Sequence, residues 1–206
     1  MTTIVGFIIF IYAIIIHEIA HGLVADRLGD PTARLSKRLT LNPIPHIDPT
    51  MSIIFPLLLI FSHSPIIFGS AKPVPIDPYN LNNPKKDMGL IGLSGPLSNL
   101  LMALVFGLIA RAGFPFIKFS PILEILRNGV QINVILAVFN LIPLPPLDGG
   151  RVAVALLPNK YAQALESIER YGIFILFFLL LFPSSFFSLP TIIYRISSLL
   201  TSLIFP

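Results

Sequence analysis

No residue of the 206 is cysteine, and Asp, Glu, Lys and Arg together make up only 12% of the chain. The first absence excludes a disulfide framework, a thiolate nucleophile and any cysteine-ligated metal site. The second is about half the charged share of a soluble domain, roughly 25%. With 54% hydrophobic residues and a mean hydropathy of +0.85, it excludes both a water-soluble globule and a disordered chain. The net charge of +4 comes from basic residues scattered through loops between apolar runs rather than gathered on one face. They read as contacts to anionic lipid headgroups that hold orientation, and nucleic acid is not an expected partner. The first apolar stretch lacks a cationic leader and a small-residue cleavage site. Glu18, set between two histidines inside it, does not fit a removable signal peptide. Neither an internal repeat nor a compact soluble appendage is visible, so an inverted-repeat transporter has little support.

What the chain does have is apolar runs, and a crossing of ~30 Å of hydrocarbon needs ~20 residues. Thr3–Ala25 is charged only at Glu18, and Met88–Ala110 is uncharged. Met51–Gly69 is apolar but interrupted by Pro56, His63 and Pro65; His63 is expected at the interface. Gly129–Leu157 is broken by Pro143, Pro145, Pro146, Gly149 and Gly150. In Tyr171–Tyr194, Pro183-Ser184-Ser185 predicts a turn between two short helices, and the tail to Pro206 is apolar apart from Arg195. Asp26–Thr50 is a polar stretch, Ser70–Asp87 a proline-rich loop, and Phe114–Arg127 a mixed segment expected at the interface. The reading is an all-α polytopic membrane protein forming one domain over 1–206, with C-terminal helices from about 160 in a hairpin.

Ionisable groups inside apolar helices are costly and mark functional sites. His17-Glu18-Ile19-Ala20-His21 is the H-E-x-x-H pattern. Residues four apart on a helix lie within ~40° of one another, so both imidazoles share a face and can present nitrogens to one Zn2+. Glu18 is rotated aside, where it can take a proton from a water activated by the metal and pass it to a leaving amine. A pair of structural buried histidines is the bland alternative, and three polar groups in an apolar span weigh against it. A catalytic zinc needs a third protein ligand and an open position. Asp148 is the only charged residue between Arg127 and Arg151, with prolines before it and glycines after it. Asn140, upstream of it, can hydrogen-bond an extended substrate or a developing oxyanion.

Three motifs now stand in order: His17-Glu18-x-x-His21, then Gly95-Pro96-Leu97-Ser98-Asn99, then Asn140-x-x-Pro143…Asp148-Gly149. Together they resemble the site-2 protease family of intramembrane zinc metalloproteases, peptidase family M50, over roughly Thr3–Leu157, without PDZ or CBS modules. The resemblance implies a three-helix catalytic core and one zinc per chain held by His17, His21 and Asp148. It makes Glu18 the general base and places Asn140 at the substrate. Its implied partners are the bilayer and a membrane-protein substrate with a transmembrane segment. Asn99 reads equally as an interhelical clamp or a functional group. His46 and Asp48, in Asn42-Pro43-Ile44-Pro45-His46-Ile47-Asp48, read as a proline-rich turn or an accessory gate near the zinc. A metal transporter and a catalytically silent family member are the competing functions; Glu18, offset from the ligands, favours hydrolysis over transit.

Depth arithmetic gives a topology. His17 and His21 lie ~21–27 Å along their span from Thr3, and Asp148 lies ~24 Å beyond Ile132 if the helix continues to it. To share one zinc, the two helices must run parallel, with Met88–Ala110 the crossing between them. Met51–Gly69 is then expected to be re-entrant or interfacial. Asp26–Thr50 and Ser70–Asp87 share one side, which their Arg27, Arg34, Lys37, Arg38, Lys72, Lys85 and Lys86 assign to the cytoplasm. An extended substrate is expected to pair with one of these two segments by strand addition.

Overall fold

The computed structural model describes residues 2–62, 69, 71–117, 121–182 and 188–205, and every regular element among them is a helix. Helix α1, Thr2–Arg27, is the first apolar run and stops where Gly29 turns to φ 110°, a conformation natural only to glycine. The short α2 is Thr32–Leu35. A π-helical turn, Pro49–Ile54, is capped by Asp48, whose side chain accepts from the Thr50 and Met51 amides; it runs into α3, Phe55–Phe61. α4 covers Pro84–Ile117 and α5 Pro121–Asn140. Four shorter helices follow: α6, Asp148–Leu156; α7, Asn159–Ser167; α8, Glu169–Leu181; and α9, Leu189–Ile204. Proline opens several of them, where its missing N–H and fixed φ cost nothing.

Among the described residues three helices are long and apolar enough to cross a membrane: residues Ile4–Arg27, Pro84–Gly113 and Pro121–Asn140. Side-chain contacts fix their directions. Asn99 donates to the Ala13 carbonyl at 3.2 Å, and His21 donates to the Ile91 carbonyl at 2.6 Å. As α1 advances α4 recedes, so the two are antiparallel. Asn99 also meets Asn133, and Phe106 lies against Gly129, so α4 and α5 are antiparallel too. Hence α1 and α5 run parallel. Ala103, Val130 and Val134 form the α4–α5 core, joined by Phe106, Val138, Leu200 and Ile204. Small residues at these contacts let backbones approach, as membrane helices require when lipid is as apolar as leucine.

Several boundaries differ from the sequence reading. Phe114–Arg127 is not a separate element: its described ends belong to α4 and to the first turns of α5. Asp148 does not ride on the helix from Ile132. α5 ends at Asn140, the chain folds through turns over 141–147, and Asp148 opens a new helix. Pro143, Pro145 and Pro146 cause the break, since proline supplies no N–H and excludes helix from the residue before it. The parallel arrangement survives because it depends on α5, not on its continuation. Of Met51–Gly69, the described Pro49–Phe61 is too short to cross. His63 and the Pro183–Ser185 turn lie outside the described residues. α8 and α9 have 13 and 16 residues, and α9 packs chiefly on α5. Its C-terminal carbonyls are capped by Arg111, which donates to Leu203 at 2.7 Å and to Ile204 at 3.2 Å.

Candidate metal centre

One helix face and one helix start make the site. His17 and His21 project from α1 toward α4, and Asp148 projects from the first position of α6. His17 Nε2 and His21 Nε2 are 3.0 Å apart, and Asp148 Oδ2 stands 3.0 Å from the first and 3.2 Å from the second. All three residues are buried. Gly95 makes room for them: a Cβ there would sit 2.5 Å from His21 Nε2 and 2.6 Å from His17 Nε2.

The outer nitrogens decide what the inner ones can do. His21 Nδ1 meets the Ile91 carbonyl, which only accepts, so His21 carries its proton on Nδ1. A chain of amides sets His17 in the same way. Asn133 donates to the Gly129 carbonyl at 2.9 Å, so its oxygen faces Asn99. Asn99 then donates to that oxygen at 3.1 Å and to Ala13, turning its own oxygen to His17 Nδ1 at 2.6 Å. Both asparagines are fully buried, at 0% exposure. Assigned this way, both Nε2 atoms are lone-pair acceptors. Two imidazole nitrogens and a carboxylate oxygen therefore converge within about 3 Å, and a shared cation, a metal ion or a proton, relieves their mutual repulsion. Nitrogen, nitrogen and carboxylate oxygen are the donors zinc takes in catalytic sites, so the residues present fit that metal.

Glu18 stands beside the trio rather than in it. Its Oε2 accepts from the Val74 amide at 2.8 Å. The extended segment carrying Val74 is held from behind: Arg38 Nη2 donates to the Lys72 and Pro73 carbonyls at 2.7 and 3.3 Å, and the Lys72 amide donates to the His46 carbonyl at 2.9 Å. Further along, buried Asp30 accepts from the Asp77 amide at 2.7 Å, from Asn80 Nδ2 at 3.0 Å, and from the Thr32 amide and hydroxyl. Burial works to raise the Asp30 carboxyl pKa, but these donors more than offset it and hold it below the ordinary carboxylate value.

Thus the structure brings together His17, His21, Asp148 and Asn99, with Glu18 alongside. Asn140 ends α5 and donates to the Leu136 carbonyl at 3.0 Å; the fold places it seven residues of turn before Asp148, not two helical turns along one helix. His46 supports the Val74 segment and donates from Nε2 to the Thr40 carbonyl at 2.9 Å, while Asp48 caps a helix; neither joins the metal trio. The sequence reading passed over Asn133 and the Val74 amide, and quoted Gly95 only within a motif. Asn133 is one of four amide side chains on the apolar α5, with Asn128, Gln131 and Asn140, and Gly95 gains its role only from the histidines that it faces. The Val74 amide carries no side-chain signal at all. The same segment is a poor edge for strand addition: the Lys72 and Val74 amides are engaged, and Pro73 and Pro75 have none.

Comparison with known proteins agrees with zinc as the metal. The model of the family described as "Peptidase family M50" matches residues 109–183, a stretch that carries Asp148. "Putative zinc metalloprotease YwhC" of Bacillus subtilis is 35% identical over 183 residues, covering 84% of this chain and 78% of its own. "Putative zinc metalloprotease Rip2" of Mycolicibacterium smegmatis is 27% identical over 179 residues, covering 85% and 66%. "Zinc metalloprotease MJ0392" of Methanocaldococcus jannaschii is 27% identical over 155 residues, covering 75% of this chain but only 35% of its own. No solved structure matches at a comparable level.

Proposed function

The chain belongs to peptidase family M50, and on that premise we propose that it is an intramembrane zinc endopeptidase, hydrolysing a peptide bond within or near the transmembrane segment of another membrane protein. The observation that carries the reading is the convergence of three donor atoms, two imidazole nitrogens and a carboxylate oxygen, with an independently held carboxylate one residue from the first ligand. A transit site for metal has no use for that carboxylate.

His17, His21 and Asp148 hold the zinc, which when bound polarises the scissile carbonyl and acidifies water. Asn99 and the Ile91 carbonyl keep the imidazoles in the ligating tautomer, the outer support that metal-binding histidines characteristically have. The Val74 amide engages one oxygen of Glu18 and leaves the other to accept a proton from the attacking water. As water oxygen bonds to the carbonyl carbon and the C–N bond breaks, Glu18 delivers that proton to the leaving nitrogen, giving a carboxylic acid and an amine. Asn140, by the family's pattern, contacts the substrate. A helical substrate must first unwind, since its amides are committed to i→i−4 bonds. The metal end faces the cytoplasm, supported by Arg27, Arg34, Lys37, Arg38, Lys72, Lys85 and Lys86 in the helix ends and connections at that end.

The test is a single-substitution comparison. Purified wild type and Glu18→Gln are assayed for zinc content and for cleavage of a reporter containing one membrane segment. The expected result is about one zinc per chain in both and cleavage in wild type alone. Full cleavage by Glu18→Gln removes the base from the mechanism, and loss of its zinc makes Glu18 a ligand.

A further inference from the structure

A cavity of about 720 Å³ lies between α5, α8 and α9, away from the metal centre, and none of the groups described so far in the chemistry lines it. Its polar lining includes Arg127, Gln131, Ser197 and Thr201; its apolar lining includes Ile135, Leu180 and Ile193. These are not mixed at random. Gly107 of α4 meets Ile204, and Arg111 caps the C-terminus of α9, so Thr201 belongs to the end of the bundle where α4 finishes and α5 begins. Arg127 is on α5 about 9 Å from its start, by the helical rise, at that same end. Ile135, two turns deeper along α5, and Ile193, two turns back along α9, line the other half. Arg127 and Thr201 thus lie toward one end of the cavity, and Ile135, Ile193 and Tyr194 toward the other.

Two of its hydroxyls lack partners. Ser197 is 4% exposed, and its hydroxyl makes no hydrogen bond; the Thr201 hydroxyl is likewise buried and unpaired. In an apolar helix these hydroxyls ordinarily bond back to a carbonyl one turn earlier, as Ser202 does toward Leu199. A buried hydroxyl without a partner is destabilising, so a ligand with acceptor oxygens is favoured there. Arg127 is the only charged residue in the lining, and among the described residues no carboxylate pairs with it.

We propose that this cavity is a binding site for one anionic phospholipid, its phosphate oxygens on Arg127 and the α9 hydroxyls and an acyl chain along Ile135, Leu180 and Ile193. Arginine matches phosphate bidentately and the adjoining hydroxyls supply neutral donors. The volume lies in the range of ligand pockets, roughly 300–1,000 Å³, enough for a headgroup and the first part of a chain. An apolar helix fits worse, because it leaves the guanidinium and both hydroxyls unanswered.

Native mass spectrometry of the full-length protein in neutral detergent tests this, using phosphatidylglycerol and diacylglycerol of identical chains. Wild type is expected to retain one phosphatidylglycerol and to hold diacylglycerol at least about tenfold more weakly. Arg127→Gln should erase most of that difference with an unchanged melting temperature, and Arg127→Lys should restore part of it. Ser197→Leu, which fills the cavity, should weaken both lipids. Equal phosphatidylglycerol retention by Arg127→Gln and wild type overturns the proposal. So does displacement of the lipid by inorganic phosphate, which indicates a free-anion site. Displacement by a single apolar helix peptide, or by dimerisation, assigns the cavity to a protein partner instead.

Discussion

Single atoms decide the chemistry of the metal centre. Both imidazoles are held in one tautomer by acceptors that cannot donate, the Ile91 carbonyl for His21 and the Asn99 oxygen for His17. Replacing Asn99 by alanine frees His17 to rotate and exchange its proton; zinc affinity is expected to fall about 10–100-fold, the usual cost of losing such a support, as measured by competition with a chelator of known affinity. Gly95→Ala is expected to be worse for the metal than for the fold. Its methyl group would lie 2.5–2.6 Å from both ligating nitrogens, so zinc per chain should drop well below one while the helices persist by circular dichroism; overpacking of this kind costs about 1–3 kcal/mol. Asn140→Ala should slow turnover about tenfold while leaving zinc content unchanged, as expected of a hydrogen-bonding group at the substrate rather than the metal. Equal turnover would reduce Asn140 to a helix-ending residue. The ligands themselves were legible without coordinates because polar groups in apolar helices have few innocent explanations. Gly95 and the Val74 amide were not, because a glycine's role lies in what approaches it and a backbone N–H looks the same at every position.

Helices and segments carry the next level of control. The proline-rich stretch after residue 70 is not a free loop: Asp30 ties its far end to the end of α1, and Arg38 ties its near end. Because the Asp30 pKa is lowered in the folded protein, the ionised form stabilises it. That contribution is complete above the ordinary carboxylate value near 4 and is lost as pH falls through the lower folded value. Unfolding midpoints measured from neutral pH downward should therefore fall in wild type, and the fall should be smaller in Asp30→Asn; parallel curves would remove Asp30 from the account. The first two crossings followed from apolar run lengths, but the start of the third helix at Pro121 and the path to Asp148 did not. Prolines announced a break after Asn140 without saying which way the chain would turn. The turns at 141–147 bring Asp148 back to the histidines, and Gly149 permits it by passing close to the Leu141 and Ile142 carbonyls.

As a whole, the described residues hold three helices long and apolar enough to span, with a metal trio near one end and the C-terminal end of α9 packed at the other. Parallel α1 and α5 with antiparallel α4 put Ser36 and Asn82 beside the metal end. In this cysteine-free chain, single cysteines at those two positions should react with an impermeant reagent from the same, cytoplasmic face; labelling from opposite faces contradicts the orientation. The central claim concerns where a peptide bond is cut, and mass spectrometry of the products tests it most directly. Wild-type protein in lipid vesicles, incubated with a single-span reporter, should yield two fragments whose new termini fall inside or at the edge of the apolar segment. A zinc chelator should abolish both fragments. Cuts confined to the reporter's soluble regions, or the same fragments from Glu18→Gln, would contradict the account.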